Sequence, residues 1–174
     1  MSQSTAEEPD PRTRFFNEEG ESLPPFHPPG WRGCVLDRDR FDHTRLPRFL
    51  FEAIITATAT AELLLRPYTP DRAESVALPP TWPAFREFVY EPSNWSLEYV
   101  LYDSSGQWAV LADPDIVIVG AEAKVADRIE MALAEHGTNL KRLTLSDFPN
   151  LDPVEPNWQY FAAVVGLPIH PDAP

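Results

Sequence analysis

"LEYVLYDSSGQWAVLADPDIVIVG", residues 97–120, decides the fold class of this chain. Leu97, Tyr99 and Leu101 alternate with Glu98, Val100 and Tyr102, and a period of two places the two sets on opposite faces of a strand. The four residues from Asp103 to Gly106 form a turn, with glycine at the position where a positive φ is easiest. The chain then runs back, with Trp108 and Val110 on one side and Ala109 and Leu111 on the other. A second turn follows at "ADPD", because Pro114 cannot donate to a central ladder. The next segment, "IVIVG", is apolar on both faces and is therefore expected to be covered on both. Strands joined by turns this tight pair antiparallel, so the stretch predicts a three-strand meander.

Helical patterns flank the meander. In "LPRFLFEAIITATATAELLLR", residues 46–66, Phe51, Ile54, Ile55, Thr58, Ala61 and Leu65 recur at steps of three and four, predicting one long buried helix. "LPPTWPAFREFVYEP" reads as a short helix with Thr81 as N-cap, Pro83 in its first turn and Pro92 after its end. "AEAKVADRIEMALAEHG" predicts a helix with Val125, Ile129, Ala132 and Leu133 inward and Gly137 as its stop. "KRLTLSDF" suggests a fourth, short strand, and a last helix runs from Pro156 to about Gly166. The expected class is α+β: an antiparallel sheet of three to four strands with helices packed on it.

Residues 1–30 read as a proline-rich, acidic, extended tail, and residues 31–174 as a single domain with a second proline-rich end. Phe15, Phe16 and Phe26 are the tail's only large rings, suited to strapping it onto the domain. "WRGCVLDRDRFDHTRLPR" mixes arginines and aspartates, the pattern of a solvated surface that pairs its own charges.

Charge narrows the choice of function. The chain has 174 residues and a net charge of −13. Nucleic-acid affinity comes largely from Lys and Arg displacing counterions, so this balance opposes a nucleic-acid partner and an anionic membrane surface. It favours a basic protein, whose encounter it accelerates. Cys34 is the single cysteine, so neither an internal disulfide nor a CxxC metal pair can form. The first residues lack a basic start followed by an apolar run, and no apolar run reaches 18 residues, so the expected location is the cytoplasm.

Motifs for chemistry are weak. There is no GxGxxG, no GxxxxGK[ST], no GxSxG and no paired histidine motif such as HExxH. Neither a cofactor nor a metal is expected. Asp113 and Asp115 flank a turn, and His43 could meet a distant acid; these residues support an alternative function as a small hydrolase or transferase. A scaffold or homodimer subunit is a further alternative.

The candidate partner-binding set comes from the meander itself. Glu98, Asp103, Asp113 and Asp115 are the acids between residues 97 and 120, which contain no Lys or Arg. Tyr102 and Trp108 lie among them. Carboxylates for steering beside large rings for anchoring are what a surface for a cationic protein requires.

The Tyr-Asp-x-Ser-Gly-x-Trp hairpin at residues 102–108, followed by a helix ending at Gly137, resembles the sheet segment of small acidic bacterial immunity proteins. These neutralise toxins passed between competing cells. The resemblance implies a compact cytoplasmic α+β protein that binds a basic toxin without catalysis or cofactor. No site residue follows from it.

Overall fold

The computed structural model describes residues 30–37, 44–67, 74–94, 98–112, 115–152 and 155–166. The expected tail, Gly30 apart, and the expected proline-rich C-terminus lie outside these residues. The chain runs β1 (Trp31–Asp37), α1 (Arg48–Thr58), β2 (Leu63–Pro67), β3 (Val76–Leu78), α2 (Trp82–Tyr90), a 3-10 turn (Pro92–Asn94), β4 (Tyr99–Tyr102), β5 (Trp108–Ala112), β6 (Ile116–Glu122), α3 (Ala123–Ala134), α4 (Leu140–Asp147) and α5 (Pro156–Val164). It is an α+β fold. The strands form one six-stranded sheet in the order β1-β6-β5-β4-β2-β3, and every neighbouring pair is antiparallel. No helix among the described residues is long and apolar enough to cross a membrane.

The meander forms as its alternation dictates: Tyr99 pairs with Ala112, Leu101 with Val110, and Leu111 with Ile118. The sheet is wider than the expected three to four strands, and the structure departs from the expected element order at three places. The first concerns α1, which stops at Thr58 instead of continuing through Leu65. Ala59 takes a left-handed φ of 49° and donates its N–H to the Ile55 carbonyl at 2.9 Å, an αL cap. The Thr58 hydroxyl bonds the Ile54 carbonyl at 2.9 Å. Leu63 and Leu65 then bury alternately as β2, between β4 and the three-residue edge strand β3.

The second is the stretch read as a self-paired charged surface. Its first seven residues are β1, in which Cys34 and Leu36 point to one face and Val35 to the other. Arg32 bridges to Asp127 and donates to the Ala123 carbonyl at 3.2 Å, both on α3, while Arg38, Asp39, Arg40 and Asp42 of the stretch lie outside the described residues. Arg48 pairs with Glu52 at 2.7 Å, one turn along α1.

The third is "KRLTLSD", which is a helix and not a strand. Asn139 caps it by accepting the Arg142 N–H at 2.8 Å, and Leu140, Leu143 and Thr144 follow the i, i+3, i+4 helical step. This helix shields the outer edge of β1. The Val35 N–H donates to Thr144 Oγ1 at 2.9 Å, and the Asp37 N–H donates to Asp147 Oδ2 at 3.0 Å. An edge strand left open presents unpaired amides to any other chain; here side chains satisfy two of them.

One face of the sheet carries the main core, under α1, α2 and α3. Phe51 stacks on Phe85 at 5.1 Å, and Phe85 meets Tyr99 edge-on at 5.9 Å. The Tyr99 hydroxyl donates to the Thr44 carbonyl at 2.7 Å, which lets a tyrosine be fully enclosed without an unmet polar atom. Cys34 lies in the same layer, free and wholly buried. Burial, and then the charge of Glu130, push its thiol pKa well above the ordinary thiol range. Because the thiolate is the nucleophile, Cys34 should resist Ellman's reagent in native buffer and react fully after unfolding in guanidinium. Rapid labelling of the native chain would contradict its burial.

Candidate docking surface

The hairpin singled out in the sequence is a structural lock. Asp103 follows β4 directly, and Gly106, at φ 61°, turns the chain by donating its N–H to the Asp103 carbonyl at 3.1 Å. One carboxylate oxygen of Asp103 accepts the Ser105 N–H at 2.9 Å and the Ser105 hydroxyl; the other accepts the Trp108 indole N–H at 2.8 Å. Asp103 is 5% exposed and Trp108 1%. The tryptophan needs a polar partner to enter the core, and the aspartate supplies it from the turn that brings the two together.

That geometry corrects the expected acidic-aromatic face. Trp108 points into the core beneath the helices, and Tyr102 lies on the opposite face of the sheet, 0% exposed, with its hydroxyl 2.8 Å from the Ser75 hydroxyl. Strand alternation separates these two rings, and neither is available as an anchor on a free surface. The acids separate as well. Glu98, half-buried, and Asp115, exposed, sit at the end of the sheet where β4 begins and β6 starts. Asp103 lies at the other end of β5, roughly 17 Å away at 3.3–3.4 Å per residue. Asp113 and His43, the other candidates for acid–base work, lie outside the described residues.

What the structure does bring together is a groove between α1 and α3. It has a volume of about 460 Å³ and is lined by Glu52, Ala53, Thr56 and Ala57 from α1, Arg128, Met131 and Ala132 from α3, and Glu135 and His136 just beyond it. Small residues on both helices keep the trough open. Arg128 ties the helices together by donating from Nε to the Ala57 carbonyl at 2.7 Å, which engages the groove's arginine. His136 rests against the Phe49 ring, centroids 5.6 Å apart. Met131 is 74% exposed, by far the most accessible large apolar side chain among the described residues. Its signal in the sequence is small: one methionine on the polar side of a helix whose inward positions are Val125, Ile129 and Leu133. Nothing in that pattern shows that α1 runs alongside.

Among the described residues no group of three or more His, Cys, Asp or Glu side chains is arranged to hold a metal ion. The fold and groove define a six-stranded antiparallel α+β domain with a shallow, mixed acidic and apolar trough on its helical side. No family model, no curated protein and no solved structure matches this chain.

Proposed function

We propose that this chain is a non-enzymatic protein-binding domain whose partner is a basic protein, and that it acts as an immunity protein, neutralising a cationic toxin by occluding it. The observation that carries this reading is the α1–α3 groove, with Met131 exposed between helices that also present Glu52 and Glu135, on a chain of net charge −13. A thioether on an unbranched side chain adapts its shape to a partner, and an exposed one is well suited to contact. The carboxylates steer a cationic surface towards it. The supporting features are therefore located on α1 and α3 and no longer on the meander.

The test begins with co-purification from the native host and identification of the bound protein, then measures binding of that protein to variants. Met131→Asp is expected to weaken binding by about 30-fold, the effect of losing a hot-spot contact. Glu52→Lys together with Glu135→Lys is expected to slow association. Association with the wild-type chain should itself slow as salt rises, since exposed charges are screened beyond roughly 8 Å at physiological ionic strength. An acidic partner, or affinities unchanged by both sets of substitutions, would overturn the proposal.

A further inference from the structure

Helix α1 separates two hollows. The α1–α3 groove lies on one flank; on the other, towards α2, is a pocket of about 280 Å³ whose walls include Phe51, Ile55, Pro80, Trp82 and Pro83. Glu52 and Thr56 line both, so the two hollows meet along the outer side of α1. The pocket is formed in advance of any ligand. Pro80 and Pro83 have a fixed φ. Between them Thr81 caps α2 by accepting the Ala84 N–H at 3.4 Å, and it donates its own N–H to the Pro79 carbonyl at 2.8 Å. The Trp82 ring packs edge-on against Phe51, centroids 5.4 Å apart, and against Phe85 at 5.8 Å. A wall held in this way loses little freedom when something binds to it.

Two polar groups at the pocket retain bonding capacity. Trp82 is half-buried, and among the described residues no acceptor meets its indole N–H, whereas the enclosed Trp108 has Asp103. Among the described residues Glu52 is the only ionisable side chain lining the pocket. One of its oxygens accepts from Arg48 Nε at 2.7 Å, and the other has no donor among the described residues. Both members of that pair are exposed, so it contributes little and leaves room for a second cation.

We propose that this pocket is a further binding site, taking an aliphatic side chain of a polypeptide whose next residue is Lys or Arg. The aliphatic group enters between Ile55, Trp82 and Pro83, a main-chain carbonyl accepts from the Trp82 indole, and the cation reaches the open oxygen of Glu52. Sites for small molecules and cofactors run to roughly 300–1,000 Å³, so the pocket suits one side chain better than a cofactor. The assignment rests on the reading of the partner as a basic protein. It adds a contact on the other flank of α1, so that such a partner straddles the helix.

The test uses the full chain, isotope-labelled, and three capped dipeptides: acetyl-Leu-Lys-amide, acetyl-Leu-Glu-amide and acetyl-Ala-Lys-amide. The Trp82 indole resonance, assigned by its loss in Trp82→Phe, is followed by NMR. The Leu-Lys probe is expected to shift it and to bind about tenfold more tightly than either control, the size of one charged hydrogen bond or of the buried carbons of leucine. Glu52→Gln, on an exposed side chain, should remove the preference for Lys over Glu and keep that for Leu over Ala. No shift with Leu-Lys, or equal affinity for all three, would overturn the proposal. So would an indole resonance that moves when the chain alone is diluted, which would identify a second copy in the pocket. The proposed function fails separately: a native partner that is acidic or indifferent to Met131→Asp sinks it even where Leu-Lys binds, and a basic partner sensitive to Met131→Asp supports it even where the dipeptide does not.

Discussion

Trp108→Ala is expected to lower the unfolding free energy by about 4 kcal/mol, within the usual range for removing a large aromatic side chain from a core. The corresponding drop in melting temperature is about 10 °C for a domain of this size. The substitution empties the space the ring fills between β5 and the helices, where it is 1% exposed. It also removes the indole N–H from Asp103 Oδ2, leaving one oxygen of a buried carboxylate without that donor. Asp103→Ala acts from the other side of the same bond: the indole N–H keeps its burial and loses its acceptor, at about 2 kcal/mol. Asp103→Asn retains one carbonyl oxygen and should fall between wild type and Asp103→Ala. Chemical denaturation of the three variants checks the order. A Trp108→Ala chain with an unchanged midpoint that bound a partner more weakly would restore the ring to an interface.

Gly33→Ala is expected to be nearly as damaging, by about 3 kcal/mol, although it adds one methyl group. A Cβ on Gly33 would stand 1.8 Å from the Val119 carbonyl oxygen and 2.8 Å from its carbon. Both atoms are backbone, so no side chain can rotate aside. Gly33 faces Gly120 across the β1–β6 pair, and relief of the clash requires the two strands to part. The hydrogen bonds from Val35 to Thr144 and from Asp37 to Asp147 then lose their alignment, and the shield over the sheet edge loosens with them. Amide exchange at Val35 and Asp37 should accelerate together with the fall in denaturation midpoint. Gly137→Ala is the control: its φ of 69° strains an alanine by about 1 kcal/mol, but a Cβ there meets nothing within 4 Å. A Gly33→Ala chain as stable as Gly137→Ala, with native protection at Val35, would refute the argument.

The two substitutions differ in how far the sequence anticipates them. Trp108 is visible as a ring on one face of an alternating strand, and its neighbour Asp103 as the start of a turn. Which of those faces is covered is not visible, because alternation assigns sides and is silent about what packs on them. An acid beside a ring reads equally well as an exposed pair or as a buried hydrogen bond. Gly33 carries no local signal at all. Its role depends on Val119, which is distant in sequence and adjacent only once β1 joins β6.

The amino-acid sequence by itself determined the α+β class, the three-strand meander of β4, β5 and β6, and the positions of α2 and α3. In each case the information is local: a period of two or of three to four, a capping Thr81, a terminating Gly137. Tertiary structure alone decided that residues 31–37 and 63–67 are strands, because their partners β6 and β4 lie far along the chain and those pairings outweigh local charge or helical period. It likewise decided that the conspicuous rings are interior and that the accessible trough lies between α1 and α3. Exposure belongs to a packed surface, and two helices separated by more than sixty residues share one only after the sheet has set them side by side.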